Sequence, residues 1–337
     1  MPTASRAGFV LPAVLMLTGM VSLIFLVAVT ALDTLGSQTR RVVDDVAFRQ
    51  QALTLEARAG FWLATSPPDA AALAPPGGST RSFEPGETPR IFLDGRYYSA
   101  APRALLASIQ DEGGLINLDL VGVDGLQRLF AMLGLDRQTQ SMMTDRLEDY
   151  VDPDDLKRPD GAERDDYLRA GLAEPPNTPL TRTVQLFGVL GWRERIGPEA
   201  WSGMRDLVTV DPTAAAVNVN TASATSLQVM FGLSPAQADA AVRARQTAVF
   251  SSMEDLGRAV GVGLHGDSER IYTMPNGRIA LRVVDPLTGE IARARIIVSP
   301  NDAEQPIWTE EESFAYLTRV QRDALPAHAP ALPDPTS

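Results

Sequence analysis

The chain has 337 residues, enough for two domains or one domain with a large insertion, and 45% apolar and 21% charged residues, the composition of an ordinary globular core. A formal charge of −12 lacks the basic footprint of a nucleic-acid binder. With no cysteine and only His265 and His328, disulfides, thiol nucleophiles, Cys-based zinc sites and His-rich metal centres are excluded, and His-based catalysis has little to work with.

From Ala7 to Leu32 no side chain is charged. As a helix, Phe9 to Leu32 would rise roughly 36 Å, enough to cross a ~30 Å hydrocarbon layer. Arg6 precedes this stretch and Asp33 follows it, so the positive-inside rule puts the leader in the cytoplasm and the remainder outside. The run exceeds the apolar core of a secretory signal. Its flank, R-A-G-F-V-L, resembles a prepilin-peptidase site cut between Gly8 and Phe9. Beyond it, Leu35, Val42, Val46, Leu53, Ala57 and Phe61 recur at helical spacing, with charged residues between them, until Ser66-Pro67-Pro68. One long helix, apolar first and amphipathic afterwards, resembles the spine of pilins and pseudopilins. The fifth position of the cut chain is Ala13, where most pilins carry glutamate. Pro12 can loosen the first turn. Trp62 is expected to pack on a sheet.

After a Pro/Gly-rich stretch, Arg90 to Leu93 and Arg96 to Tyr98 predict a hairpin about Asp94-Gly95. Leu105 to Gln110 and Leu115 to Leu118 predict a second, turning at Asp111-Glu112-Gly113-Gly114. Asp111-Glu112 is weighed as a catalytic carboxylate pair and set aside as a solvent-facing turn. Strand patterns return at Gly277 to Asp285 and Glu290 to Ser299, about a Pro286-Leu287-Thr288-Gly289 turn. Strands at both ends of a helical region make the helices an insertion. The expected fold is α+β: an N-terminal transmembrane helix leading into a pilin-like domain interrupted by a large all-α insertion. The expected segments are a leader 1–8, a transmembrane helix 9–32, a first pilin-like part 33–118, an inserted domain 119–272, closing strands 273–300 and a C-terminal segment 301–337. That last segment is Pro/Ala-rich from Leu325 and expected to be disordered in part.

The insertion carries an internal repeat. Leu126-Gln127 lies at the same offset from Asn117 as Leu227-Gln228 does from Asn218. Each copy reaches Gly134-Leu135-Asp136 or Gly232-Leu233-Ser234, a turn followed by a helix cap. Both read as helical hairpins. Residues 218–256 also resemble helix-hairpin-helix DNA-binding modules. Gly232-Leu233-Ser234 lacks the second glycine of their phosphate turn, Gly261-Val262-Gly263 keeps it, and Arg243, Arg245 and Arg258 are few for DNA. Met132, Met142, Met143 and Met230 are assigned to core packing.

Four ordered segments, D-E-G-G-L-I-N-L-D (111–119), E-D-Y-V-D-P-D-D (148–155), P-D-G-A-E-R-D-D-Y (159–167) and V-N-V-N-T-A-S (217–223), resemble the signposts of the K minor pseudopilin of type II secretion. Tyr150 stands where that family usually has tryptophan. The resemblance implies a pseudopilin at the tip of a periplasmic pseudopilus, in the inner membrane by one span. Its partners would be the I and J minor pseudopilins, then H and the major pseudopilin, with prepilin peptidase, cargo and the outer-membrane secretin as further contacts. No enzymatic activity is implied. A type IV pilus minor pilin and a membrane-anchored DNA-uptake protein are the alternatives.

The acidic run from Asp149 to Asp166 reads from composition as a solvated loop, and it has no EF-hand spacing. The family resemblance instead implies calcium, with Asp149, Asp152, Asp154, Glu163 and Asp166 as ligands. Without the ion, like-charge repulsion should loosen the loop.

Overall fold

The computed structural model describes residues 10–66, 69–73, 90–264, 271–299, 302 and 304–333. The chain divides into two compact units, residues 1–54 and residues 55–337. Helix α1 is Val10–Thr65, 56 residues without a break. It holds a window of mean hydropathy 2.5, long and apolar enough to cross a membrane. Thr18 and Thr30 do not break this character, because each hydroxyl donates back to a carbonyl one turn earlier, Val14 and Leu26. Ala13 lies in the first turns of α1, whereas the expected cut between Gly8 and Phe9 lies outside the described residues. The helix ends where the amide of Ser66 donates to the Trp62 carbonyl at 2.7 Å. Pro67 and Pro68, which have no N–H to extend it, follow in sequence.

In the larger unit the strands in chain order are β1 (Ala72–Leu73), β2 (Ile91–Phe92), β3 (Asp94–Ala100) and β4 (Leu105–Asp111), then β5 (Ile116–Asn117). Helices α2 (Gly122–Met132), α3 (Arg137–Val151) and α4 (Arg164–Arg169) follow, then a 3-10 turn (Thr183–Gly188), α5 (Trp192–Arg195) and α6 (Pro198–Met204). Next come β6 (Val208–Thr209), β7 (Val217–Asn218), α7 (Ala224–Phe231), α8 (Pro235–Ala244), α9 (Met253–Val260) and β8 (Ile271–Tyr272). The chain closes with β9 (Arg278–Val284), β10 (Glu290–Val298), β11 (Ile307–Tyr316) and α10 (Arg319–Asp323).

One antiparallel five-stranded sheet, in the order β11-β10-β9-β4-β3, organises this unit. The chain leaves β4 at Asp111 and returns to its direct neighbour β9 at Arg278, so everything between is inserted into the sheet. Strand pairing thus places the insertion's ends wider than 119–272. All of β4 and nearly all of β10 are buried, because both faces of the sheet are covered. The two faces differ in chemistry. On one, Ile296 and Ile307 reach α1 at Gly60, where an added Cβ would meet Ile307 at 3.0 Å. Trp62, two residues further along α1, is also buried, with Arg58 stacked on its ring at 5.0 Å. The other face carries the row Ser108, Arg282 and Arg293, aligned across β4, β9 and β10.

Neither early hairpin forms. The β2 strand pairs with β1, and β3 runs through Asp94-Gly95 as a bulge with Gly95 at φ 78°, pairing with β4 beyond it. The β5 strand pairs in parallel with β6, some ninety residues on, rather than folding back on β4. Alternation of side chains is the same for either partner, so local pattern cannot choose between them. The β9–β10 hairpin does form, with Gly289 at φ 80° donating to Asp285.

The internal repeat is real in three dimensions. The first copy is β5, α2, α3; the second is β7, α7, α8, and each opening strand pairs in parallel with a later one, β6 or β8. Arg128 on α2 donates to the Val229 carbonyl on α7, tying the copies together. Gly134 and Gly232 have positive φ, and Asp136 and Ser234 cap the next helices. Asn117 and Asn218 do not cap α2 and α7. Each accepts from the amide two residues on, an Asx turn ending the strand. The first core gathers Phe130, Met143, Tyr167 and Trp192, with Phe130 and Trp192 edge to face at 5.4 Å. Met142 and Met230 pack at its margin, but Met132 is 49% exposed and is not a core residue.

The described part of the Pro/Ala-rich tail lies against the sheet. Residues 330 to 332 border β3, where the Ser99 amide donates to the Pro330 carbonyl and the Leu332 amide donates to the Ser99 carbonyl. Leu325 and Ala329 cover a small cluster of Leu106, Val284 and Ile291. Proline is tolerated because a bordering segment needs only every other backbone group for pairing.

Candidate functional site

The acidic loop joins the C-terminus of α3 to the N-terminus of α4. Asp149, in the last turn of α3, is fully buried. It accepts from the Arg158 guanidinium at 2.7 Å and from the Arg158 backbone amide. Gly161 passes so close that an added Cβ would lie 1.8 Å from Asp149 Oδ2. Asp152, which closes α3, accepts from Arg158 Nη1 at 2.6 Å through Oδ2, while its buried Oδ1 has no partner. Asp154 is exposed and accepts from the Leu156 amide at 2.8 Å.

Glu163 precedes α4 and is only 7% exposed, yet neither carboxylate oxygen has a hydrogen-bond partner. Burial first, then repulsion from Asp149, Asp152, Asp155 and Asp154, pushes its carboxyl up to about 7. Asp166 is engaged differently. Its Oδ2 accepts from the Glu163 amide and pairs with Lys157 at 2.9 Å, and its other oxygen pairs with Arg169. The Lys157 hydrogen bond is the main reason its carboxyl sits below the usual range.

The structure therefore gathers all five residues around the α3–α4 connection, with Asp149 and Asp166 in the flanking helices, but divides their roles. Asp149 and Asp166 are held by Arg158, Lys157 and Arg169. Asp152 Oδ1 and both oxygens of Glu163 remain as buried acceptors without partners. Asn177 joins them: its side-chain amide donates to the Asp154 carbonyl, leaving a buried Oδ1 unpartnered. Arg158 and Asn177 were not singled out from the sequence. Arg158 lies within the acidic run, so its charge was a legible signal. Nothing local marks Asn177, which arrives from a separate turn with φ 48°. Among the described residues no three His, Cys, Asp or Glu side chains stand in ready-made metal geometry. The donor set is all oxygen and carboxylate-rich, which suits a hard cation of the calcium type and not a soft one.

The second carboxylate group is Asp111-Glu112, and it is not at the surface. Asp111 is fully buried and Glu112 is 2% exposed. Asp111 accepts from Asn218, Thr221, Asn276 and Gly113, and Glu112 pairs with Arg295 at 3.0 Å and Arg278 at 3.2 Å. Both carboxylates are engaged in joining the insertion to the sheet.

In the second module, Arg245 is 6% exposed and donates into the carbonyls of Val219 and Ala222. Arg258 pairs with Asp255. The Ser234 amide, which a phosphate would need at that turn, is taken by Gln237.

Residues 106–213 match the family model described as type II secretion system protein K, and residues 213–265 match a helix-hairpin-helix motif. Type II secretion system protein K of Pseudomonas aeruginosa is 30% identical over 161 residues, which are 45% of this chain and 47% of that protein. The matched part is thus about half the length of the relative. Among solved structures, a chain of the GspK-GspI-GspJ complex from the enterotoxigenic Escherichia coli type 2 secretion system superposes with a TM-score of 0.54 at 15% identity, over 83% of this chain and 100% of that one, a likeness of fold. The matched domain and the bacterial relative make this part of the chain similar to type II secretion system protein K, and the solved complex chain shares its α+β fold.

Proposed function

We propose that the chain is the tip subunit of a periplasmic pseudopilus, anchored in the inner membrane by the first part of α1, with residues 55–337 in the periplasm. The observation that carries this reading is the insertion between the neighbouring strands β4 and β9, which gives a pilin-type sheet a large helical body. A filament interior has little room for such bulk, whereas a terminal position accommodates it. Ala13 supports the same placement. A carboxylate in the bilayer needs a partner such as a neighbour's new amino terminus, and a subunit without one has no need of a subunit ahead of it. The role is assembly rather than catalysis, supporting export of folded proteins. The neighbours are then minor pseudopilins of the I and J kinds, the pair named with the K subunit in the similar solved structure, with H and the major pseudopilin below. Prepilin peptidase would cut between Gly8 and Phe9.

The acidic loop is then a calcium site. Glu163, Asp152 and Asn177 supply its unpartnered oxygens, with Asp154 beside them, and the ion would neutralise the repulsion that now falls on Glu163.

The test is cross-linking in cells followed by purification of the full chain and mass spectrometry. The expected result is a mature chain beginning at Phe9, joined to I-type and J-type subunits and absent from the shaft. A chain beginning beyond Leu32, or recovered as a soluble monomer, refutes the reading. The helix-hairpin-helix match keeps DNA binding as a second reading. Retention on DNA at low salt that fades as salt rises supports it, though burial of Arg245 leaves that face poor in cations.

A further inference from the structure

Three carboxylates of the acidic loop converge on one guanidinium. Arg158 Nε lies 2.8 Å from Glu148, and Arg158 Nη1 lies 2.7 Å from Asp149 and 2.6 Å from Asp152. The same residue also donates its backbone amide to Asp149, so Arg158 grips that carboxylate from two sides. Gly161 approaches Asp149 Oδ2 so closely that any side chain at this position would collide with the carboxylate. Close to this cluster, where Asp149 and Asp152 repel Glu163, the balance is reversed. Glu163, 7% exposed, presents two oxygens with no donor, and Asp152 Oδ1 is likewise unpartnered.

We propose that Arg158 is a resident counter-cation for Glu148, Asp149 and Asp152 Oδ2, holding the loop folded before any metal arrives and leaving only Glu163 and Asp152 Oδ1 in need of an added cation. The second half of this statement rests on the calcium reading; the first does not. Arginine suits the task chemically. Its guanidinium stays charged at all accessible pH and offers several donors in a fixed plane, so it bridges carboxylates that a point charge would gather less well. A buried Asp149 left without it would be an uncompensated charge, the situation that destabilises most strongly.

Hydrogen exchange of the full-length chain in detergent, read on peptides covering residues 152–163, tests this directly. The wild-type chain and Arg158→Gln are compared in excess chelator and in millimolar calcium chloride. The expected result in chelator is slow exchange in the wild type and roughly tenfold faster exchange in the variant. Equal rates overturn the proposal. The wild type alone also decides, should the variant fail to fold: a loop that exchanges as freely as an unstructured peptide once metal is removed shows that Arg158 does not hold it. If calcium changes neither chain while the variant still opens in chelator, the calcium reading falls and the role of Arg158 stands.

Discussion

The carboxylate of Asp111 accepts a hydrogen bond from the Asn218 side chain at 2.9 Å, joining the last residue of β4 to the second helical module. The same carboxylate accepts from the Asn276 amide, just before the chain re-enters the sheet. Entry, interior and exit of the insertion are thus fastened at a single buried group. An insertion attached only through its two chain ends would swing about them; this one is fixed in orientation.

Asp111 makes stability pH-dependent with a definite sign. Burial pushes its carboxyl up to about 6 from 3.8, against the opposing pull of its hydrogen bonds from Thr221 and Asn218. The folded chain therefore holds this proton more tightly than the unfolded one. Its contribution is fully present below the unfolded value and is lost as pH rises through about 6. Denaturant unfolding of the wild type and Asp111→Asn should show a wild-type advantage that shrinks between about pH 4 and about pH 7. A gap that widens with pH contradicts the assignment.

Asp206 anchors the other contact of insertion and sheet. It accepts from Arg293 at 2.7 and 3.1 Å, and Arg293 is 8% exposed. Burial alone would raise the Asp206 carboxyl, but this bidentate pair holds it below its ordinary range. Asp206→Asn should lower stability by on the order of 3 kcal/mol, because Arg293 is left buried without a counter-charge. Pairing it with Arg293→Met should recover most of the loss in calorimetry. A double variant as weak as the single one points to shape rather than charge.

Glu163→Gln removes one buried charge from a crowd of carboxylates. In chelator its melting temperature should exceed that of the wild type by a few degrees, since the repulsion from Asp149 and Asp152 is relieved. In calcium the order should invert, with the wild type gaining roughly 2–3 kcal/mol at saturating ion and the variant little. A variant that melts lower in chelator would show that Glu163 stabilises the loop as it stands.

Truncation after Ala324 uncovers Leu106, Val284 and Ile291 and frees the β3 edge that Pro330 and Leu332 now border. Loss of about 2 kcal/mol and faster aggregation are expected from the exposed cluster and the open edge. Light scattering and thermal unfolding check both. An unchanged melting curve would make the tail dispensable.

Much of the fold was legible from residues alone. The charge-free run to Leu32, the long α1, the β9–β10 hairpin about Gly289 and the two helical modules all depend on local signals: uninterrupted apolarity, turn glycines and caps at Asp136 and Ser234. The acidic run was legible as well, but its internal division was not. Whether Asp149 faces a metal or Arg158 depends on which side of a turn each occupies, and spacing along the chain does not record that. Asn177 reaches the loop only because the chain folds back on itself.

The amino-acid sequence by itself determined that this chain carries a membrane-length apolar helix, a β domain split by helices, and a carboxylate-dense loop, because each is a matter of composition and short-range periodicity. Tertiary structure alone decided which strands pair, with β5 joined to β6 and the tail bordering β3. It also decided which carboxylates are buried and what neutralises them. The physical reason is that pairing and desolvation arise between residues far apart in the chain. Asp111 meets Asn218 and Asn276 only once the sheet has closed around the insertion.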